Sequence, residues 1–257
     1  MHANTLAAFR QALVQQTKYA WLAISFLTRL PVPDLGTLVE RDFGHSALYY
    51  PLVGLILGGL LCVPLLVFPH AAPFLLAAMI SVMWAMLTGG LHLDGVADSA
   101  DAWLGGLGNV EKTHRILKDP LVGAAGAIAI SSVLLLKCAA LSALIAQEQW
   151  QAVLFAPIIG RCLILLIFLT TPYVRAGGLA SAVTTYLPRK IAWILIISGL
   201  SAAFMLSISG TLAALWGAWS LRNLMLARIQ GCTGDTAGAT VEIGEMLWLV
   251  GFALNLS

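Results

Sequence analysis

The sequence predicts an all-α, polytopic membrane protein, and its composition and its long apolar runs lead to this class. Of the 257 residues, 60% are hydrophobic and only 10% are charged, against roughly a quarter charged in an ordinary soluble domain. Apolar runs recur along the chain, and about 20 such residues are enough to cross a bilayer. No repeat or linker divides the chain, so a single membrane domain over residues 1–257 is expected.

We predict about seven transmembrane segments. A cytoplasmic or interfacial N-terminal segment, 1–46, precedes a helical bundle over residues 47–256. The last segment is short and begins with two glutamates, so the sequence leaves open whether it crosses completely. The predicted segments are 47–69, 71–91, 122–146, 150–172, 191–208, 210–228 and 242–256.

Residues 17–30 predict a helix that lies in the membrane interface. This segment is too short to span, has Lys18 and Arg29 near its ends and carries aromatic side chains between them, a pattern typical of interfacial helices. Pro31 and Pro33 are expected to end it.

The distribution of charge predicts one polar face. All but two of the 14 Lys and Arg residues lie in long polar segments or at the segment ends that adjoin them. The positive-inside rule places this face in the cytoplasm, which predicts a multi-pass inner-membrane protein with its active site on that side. The exceptions are Lys137, which we expect to snorkel towards the interface, and Arg161. The net charge of only +2 argues against nucleic acid as a partner.

Three aspartates within eight residues, Asp94, Asp98 and Asp101, form the strongest candidate site. On a helix, at about 100° per residue, all three share one face. Carboxylates placed in this way repel one another, and ligands that are all oxygen select a hard cation such as Mg²⁺ or Mn²⁺. We therefore predict a metal site, with a solvated acidic turn as the alternative. His92, two residues earlier, either is an interfacial side chain or holds a substrate phosphate.

A second candidate site is basic. Arg115 and Lys118 are three residues apart and can present adjacent positive charges to a phosphate. Gly123 and Gly126 follow at the start of an apolar segment, where backbone N–H groups at a helix N-terminus can bind an anion. Lysine and arginine beside a membrane also serve as anchors that face the lipid, and this alternative stays open.

A third candidate site opens the last apolar segment. Asp235 and Glu242 are seven residues apart and share a helix face, with Glu245 nearby. Carboxylates in an apolar segment are costly in lipid, so we expect them to face a protein cavity and to bind a cation or act as a base. Asp235 is alternatively a helix N-cap. Arg161 either pairs with one of these carboxylates or contacts substrate.

Seven stretches of the chain together closely resemble the cobalamin synthase family, the adenosylcobinamide-GDP ribazoletransferases. This resemblance covers essentially the whole chain, and the acidic motif is its most specific part. The stretches are FLTRLPVP (26–33), YYPLVGLILGGL (49–60), GGLHLDGVADSADAW (89–103), ILKDPLVGAAG (116–126), GRCLILL (160–166), TPYVRAGGL (171–179) and GDTAGATVEIGE (234–245).

The resemblance implies an inner-membrane enzyme that uses Mg²⁺. Its substrates would be adenosylcobinamide-GDP and alpha-ribazole or alpha-ribazole 5'-phosphate, and its products GMP and adenosylcobalamin or its phosphate. Here Leu121 and Val122 supply no polar side chain at positions where the family pattern has one. We expect metal ligation by Asp94, Asp98 and Asp101, catalytic roles for Asp98, Asp235 and Glu242, and substrate binding by His92, Arg115, Lys118, Arg161 and Gly123.

Two other functions remain as alternatives. The aspartate spacing is similar to that of the CDP-alcohol phosphotransferases, but Asp94-Gly-Val-Ala is followed by Asp98 and not by arginine. A transporter would show a pair of broken helices in inverted arrangement, which we do not find in the sequence. Besides small-molecule substrates, the lipid bilayer is the expected partner. The sequence leaves open a homo-oligomer, an association with other corrinoid-pathway enzymes, the preferred form of ribazole and the number of metal ions.

Overall fold

A computed structural model describes residues 2–175, 177 and 179–255, and these residues form helices joined mostly by short connections. The described part of the chain contains no β-strand. A short 3₁₀ turn, Ala47–Tyr49, connects α2 to α3. The helices are α1 (His2–Leu27), α2 (Glu40–Ser46), α3 (Tyr50–Leu61), α4 (Val63–Val67), α5 (Pro73–Thr88), α6 (Leu91–Gly106), α7 (Val110–Ile116), α8 (Ala124–Ala146), α9 (Trp150–Thr170), α10 (Leu179–Tyr186), α11 (Arg189–Leu206), α12 (Ile208–Ile229) and α13 (Gly234–Leu254).

The helices confirm a multi-pass membrane protein but not the predicted count of seven segments. Among the described residues, five stretches are long and apolar enough to cross a membrane, or up to six if the bent pair α5–α6 counts as one span. The five are Glu40–Val67, Ala124–Ala146, Trp150–Thr170, Arg189–Leu206 and Gly234–Leu254.

The predicted segment 71–91 is interrupted by a sharp bend. Helix α5 ends at Thr88, because Gly89 and Gly90 both have positive φ, +63° and +70°, a conformation that favours glycine. The next helix, α6, leaves at 90° to α5. The acidic motif therefore lies on a separate helix and not at the end of a straight span.

The last two predicted segments also differ from the structure. Segment 210–228 is helical within α12, but it is not among the stretches apolar enough to span. Its second half contains Arg222 and Arg228. Segment 242–256 belongs to a longer helix that begins at Gly234, so this segment is long enough to cross. Residue 256 lies outside the described residues.

The N-terminal helix is longer than predicted. It runs over 26 residues, and it ends at Leu27 rather than at residue 30. Tyr19, Leu22, Ala23 and Leu27 are buried, at the spacing of one helix face. This face packs α1 against α2 and α3.

Helices α9 and α13 form the centre of the bundle. Helix α9 packs against α3, α11 and α13, and α13 also packs against α6, α8 and α12. Small residues permit these contacts: a Cβ at Gly58 would clash with the carbonyl oxygen of Leu154, and one at Gly54 would lie 2.7 Å from that of Pro157. The two glycines are four residues apart, a spacing that permits helices to pack closely.

Two arginines bind the C-terminal carbonyl groups of α9. Arg189 Nη2 donates to the carbonyl of Leu169 at 2.7 Å. Arg222 donates to the carbonyl of Thr170 through Nε at 3.2 Å and Nη2 at 2.7 Å. Positive charge stabilises the negative end of a helix. These bonds fix the point at which the chain leaves α9 for the candidate site.

Candidate active site

A cavity of about 580 Å³ lies where α6 and α13 begin. Six elements supply its walls: α1, α6, α9, α10, α13 and the segment that follows α9. Its apolar lining residues are Phe26, Leu91, Ile164, Phe168, Leu179 and Ala180. Its polar lining residues are His92, Asp94, Tyr173, Arg175 and Asp235.

A close approach of two helix N-termini brings the predicted aspartates together. A Cβ at Gly95 would clash with the carbonyl oxygen of Asp235, and one at Gly238 would lie 3.3 Å from Cδ2 of His92. Glycine at these two positions therefore permits the close approach of α6 and α13. As a result, Asp94 and Asp235, which are far apart in the sequence, line the same cavity.

The N-terminus of α13 is held by a threonine cap. The Thr233 hydroxyl accepts from the N–H group of Thr236 at 3.3 Å, and the N–H group of Thr233 donates to the Thr236 hydroxyl at 2.9 Å. Thr233, not Asp235, is thus the N-cap residue. Asp235 lies in the first turn, with its carboxylate available to the cavity.

A short backbone pairing brings Arg175 to this carboxylate. The N–H group of Val174 donates to the carbonyl of Cys232 at 3.0 Å, and the N–H group of Cys232 donates to the carbonyl of Pro172 at 2.7 Å. Arg175 Nη1 then lies 3.0 Å from Asp235 Oδ2. The Arg175 side chain is 43% exposed, so the ion pair contributes little to stability and its arginine is accessible to an anion.

Tyr173 lines the cavity beside this ion pair. Burial raises the pKa of the Tyr173 phenol above its ordinary value of 10.0; Arg175 opposes the shift, and Asp235 and Cys232 add to it. The side chain is therefore a neutral phenol at neutral pH. Tyr173 and Arg175 were not predicted as site residues. The one signal available was the arginine in the polar segment 171–179.

The three aspartates of α6 lie on one helix, as predicted. Asp94 is exposed, and Asp98 and Asp101 are half-buried. Asp94, Asp235 and Asp101 all act electrostatically on Asp98, in that order of strength. Within the described residues, no three Asp, Glu, His or Cys side chains are close enough to hold a metal ion as they stand.

Asp101 also binds the start of α8. Its Oδ2 accepts from the N–H group of Gly123 at 2.7 Å, and its Oδ1 accepts from that of Gly126 at 2.9 Å. The anion at this helix N-terminus is thus a carboxylate of the protein itself. Substrate binding by Gly123 stays a prediction.

Four charged side chains form a buried ionic cluster beneath the cavity: Lys137, Arg161, Glu242 and Glu245. Lys137 Nζ donates to Glu242 Oε2 at 2.7 Å and to Glu245 Oε2 at 2.6 Å. Arg161 Nη1 donates to Glu245 Oε1. All four side chains are at most 4% exposed.

The buried ionic cluster contains both of the basic residues that lie within apolar segments, Lys137 and Arg161. Lys137 does not snorkel as predicted: its ammonium group points into the bundle and lies 4.0 Å from the centre of the Trp84 ring. Arg161 pairs with a carboxylate of α13, which is one of the two alternatives considered. Neither Glu242 nor Arg161 lines the cavity, so their catalytic and substrate-binding roles stay predictions without a contact there.

The remaining predicted residues are divided between the cavity and the surface. His92 lines the cavity, and its Nδ1 is buried without a hydrogen-bond partner, as are Nε and Nη2 of Arg161. Arg115 and Lys118 are exposed at the end of α7 and just beyond it, away from the cavity lining. Their contact with a phosphate stays a prediction.

Fold and site together define a multi-pass helical membrane protein with an acidic cavity between helix ends. The family model described as cobalamin-5-phosphate synthase matches residues 19–253. The chain belongs to this family.

Curated relatives support the same assignment over almost their whole length. A protein of Pseudomonas fluorescens SBW25 named adenosylcobinamide-GDP ribazoletransferase is 47% identical over 238 residues, which is 91% of this chain and 98% of that relative. A protein of the same name from Stutzerimonas stutzeri A1501 is 44% identical over 91% of this chain and 97% of that relative. No solved structure gives a significant match.

Proposed function

We propose that the protein joins adenosylcobinamide-GDP to alpha-ribazole or alpha-ribazole 5'-phosphate, releasing GMP and forming adenosylcobalamin or its 5'-phosphate. This is the late step that assembles the nucleotide loop of cobalamin. The observation that carries the proposal is the match to relatives named for this transfer over 98% of their length. The cavity supports it because carboxylates and an arginine meet there beside apolar walls.

The proposed reaction is a phosphoryl-type displacement. A ribose hydroxyl of the ribazole attacks the phosphorus attached to the cobinamide, the bond to the bridging oxygen of the diphosphate breaks, and GMP leaves with that oxygen. The hydroxyl proton passes to a base. Because negative charge spreads over the phosphoryl oxygens in the transition state, catalysis depends mainly on cations and on positioning.

We propose Mg²⁺ as the cofactor, held by the aspartates of α6. These aspartates suit Mg²⁺, because carboxylate oxygens are hard ligands. Mg²⁺ is commonly held by one or two carboxylates together with substrate phosphates, so a preformed cage of three protein ligands is not required. Asp94 and Asp98 are the proposed direct ligands, and Asp101 completes the acidic face while it fixes α8. When bound, the ion neutralises charge on the phosphoryl oxygens.

The chain's own residues bind and orient the reactants. Asp235 is the proposed base, because it lines the cavity and lies among the carboxylates that act on Asp98. Arg175 can leave its exposed ion pair to bind a phosphate oxygen. His92 lines the same cavity and is the proposed partner of a phosphate or a hydroxyl group there. Arg115 and Lys118 are proposed to bind the diphosphate as it arrives from solvent.

We place the cavity at the cytoplasmic side of the inner membrane. The support is the concentration of Lys and Arg in the long polar segments and at the adjoining segment ends. Arg29, Arg175 and Arg189 all lie in such segments or at their ends. A large hydrophilic corrinoid nucleotide is made in an aqueous compartment, and this orientation gives it access to the cavity.

The test uses the purified protein in nanodiscs with adenosylcobinamide-GDP and alpha-ribazole 5'-phosphate. We expect corrinoid product that depends on Mg²⁺ and falls by about 10²-fold or more in Asp98→Asn, as for removal of a preorganised charged group. Glu148→Gln, in an exposed loop between α8 and α9, is the matched control and should retain wild-type turnover. Full turnover in folded Asp98→Asn and Asp94→Asn would refute the metal assignment. Transfer to an alcohol from a CDP-activated lipid instead would indicate a CDP-alcohol phosphotransferase.

A further inference from the structure

We propose that the apolar wall of the cavity binds the benzimidazole base of the ribazole and selects this acceptor. This base wall consists of Phe26, Leu91, Ile164, Phe168, Leu179 and Ala180. The inference rests on the proposed function, because it states which of the two substrates occupies the cavity and in which orientation.

Much of the base wall belongs to the hydrophobic core or packs against it. Phe168 and Ile164 are only 5% and 4% exposed and belong to the hydrophobic core on α9. Ala180 is also part of this core. Phe26 stacks on Tyr50 with 6.3 Å between ring centroids and 20° between ring planes. A flat aromatic ligand can therefore enter without costly reordering of these side chains.

The chemistry of the wall discriminates between the two bases in the reaction. Guanine carries several hydrogen-bond donors and acceptors, and burying them without partners costs free energy. The base of ribazole is a dimethylbenzimidazole, which is apolar apart from its ring nitrogens. All six residues of the base wall have apolar side chains. The wall accordingly favours the benzimidazole and disfavours the guanine of the GDP.

The size and the polarity of the cavity set the orientation of the nucleoside. Its volume of about 580 Å³ is in the range of roughly 300–1,000 Å³ that suits a ligand of nucleoside size. A corrin macrocycle with its side chains is much larger and must approach from outside. With the base on the base wall, the ribose can reach Asp94 and Asp235, which line the same cavity. The attacking hydroxyl then lies beside the proposed base and metal ligands.

The first experiment measures alpha-ribazole binding directly, by calorimetry of the protein in nanodiscs. Ala180→Phe adds a ring where the base should lie and is expected to raise Kd for alpha-ribazole by about tenfold or more. Ala182→Phe makes the same change on the same helix at a position that does not line the cavity and should leave Kd unchanged. In turnover assays, Ala180→Phe should raise KM for alpha-ribazole and not KM for adenosylcobinamide-GDP.

A second readout uses the two methyl groups of the base. In the wild-type protein, the riboside of unsubstituted benzimidazole should bind roughly 15-fold more weakly than alpha-ribazole, because each buried carbon contributes a hydrophobic increment. In Phe26→Leu, which changes a half-buried wall residue, this ratio should shrink. If Ala180→Phe does not fold, the affinity ratio of the two ribosides in Phe26→Leu tests the proposed base wall by itself.

The outcomes separate the two proposals. The inference is overturned if Ala180→Phe leaves Kd for alpha-ribazole unchanged and Phe26→Leu leaves the affinity ratio of the two ribosides unchanged. If the wild-type protein still performs the transfer, the proposed function stands. A raised KM for the GDP-corrinoid alone would overturn it as well, because the cavity would then hold the other substrate. Absence of transfer by wild-type protein, together with binding of alpha-ribazole that Ala180→Phe weakens, would refute the proposed reaction and support the binding site.

Discussion

Replacing Lys137 with methionine removes one of two cations from the buried ionic cluster and tests what holds α13 in place. In the wild-type protein, Lys137 and Arg161 balance Glu242 and Glu245. Lys137 bonds both carboxylates, at 2.7 Å and 2.6 Å. Methionine keeps most of the volume of the side chain but leaves two carboxylates with one cation.

The expected cost follows from burial. With side chains at most 4% exposed, solvent cannot screen the uncompensated charge, and breaking a buried pair in this way costs about 3–5 kcal/mol. For a domain of this size, each kcal/mol corresponds to about 2–4 °C in Tm. We therefore expect Tm of Lys137→Met to fall by roughly 10 °C. The double variant Lys137→Met/Glu242→Gln restores charge balance and should be the more stable of the two.

The assay is thermal unfolding in nanodiscs, followed by circular dichroism. Lys190→Met is the matched control, because Lys190 is exposed on α11 and its loss should change stability by no more than about 0.5 kcal/mol. If Lys137→Met unfolds at the same temperature as Lys190→Met, the buried ionic cluster does not stabilise the fold. The same conclusion follows if the double variant lowers Tm, relative to wild type, by the sum of the effects of Lys137→Met and Glu242→Gln measured singly.

Three further predictions concern contacts made by Asp101, Gly58 and Arg175. Asp101→Ala removes the acceptor for two N–H groups at the start of α8; it should cost about 1–2 kcal/mol and speed hydrogen exchange of those amides. Gly58→Ala forces a methyl group onto the carbonyl of Leu154 and should cost about 1–3 kcal/mol, measured as a fall in Tm. Arg175→Ala breaks an exposed ion pair with Asp235, so it should raise KM for the GDP-corrinoid several-fold while Tm changes by less than about 2 °C.

The Gly58 prediction has a matched comparison within the chain, and each of the three has a result that would contradict it. Gly59→Ala, next to Gly58, meets open space and should be neutral or stabilising by up to about 1 kcal/mol, as alanine favours helices. Equal Tm values for the two alanine variants would contradict the close packing of α3 on α9. Unchanged exchange in Asp101→Ala would show that the cap is not formed. If Arg175→Ala lowers Tm strongly and leaves KM for the GDP-corrinoid unchanged, Arg175 stabilises the fold and does not bind this substrate.

The helical membrane fold could be predicted because long apolar runs recur along the chain. Apolar runs on this scale form helices in lipid, where every backbone polar group must be bonded within the segment. The shared face of Asp94, Asp98 and Asp101 follows from helix periodicity. The packing at Gly54 and Gly58 follows from their spacing, because small residues four apart permit close approach.

Other features depend on contacts between distant parts of the chain. Two consecutive glycines permit a helix but do not force the positive φ that bends the chain after Thr88. The inward direction of Lys137 depends on Glu242 and Glu245, more than 100 residues away. The position of Arg175 depends on backbone pairing with Cys232. Hydropathy and helix periodicity do not report such contacts.

In the proposed reaction, a ribose hydroxyl displaces GMP from the cobinamide diphosphate. The most direct measurement is the nucleotide released by the wild-type protein in nanodiscs, quantified together with the joined corrinoid as the reaction proceeds. We expect one GMP for each corrinoid product, and no release of GMP without the ribazole acceptor. Release of GDP, corrinoid product without GMP, or accumulation of substrate in sealed vesicles without any nucleotide release would contradict it.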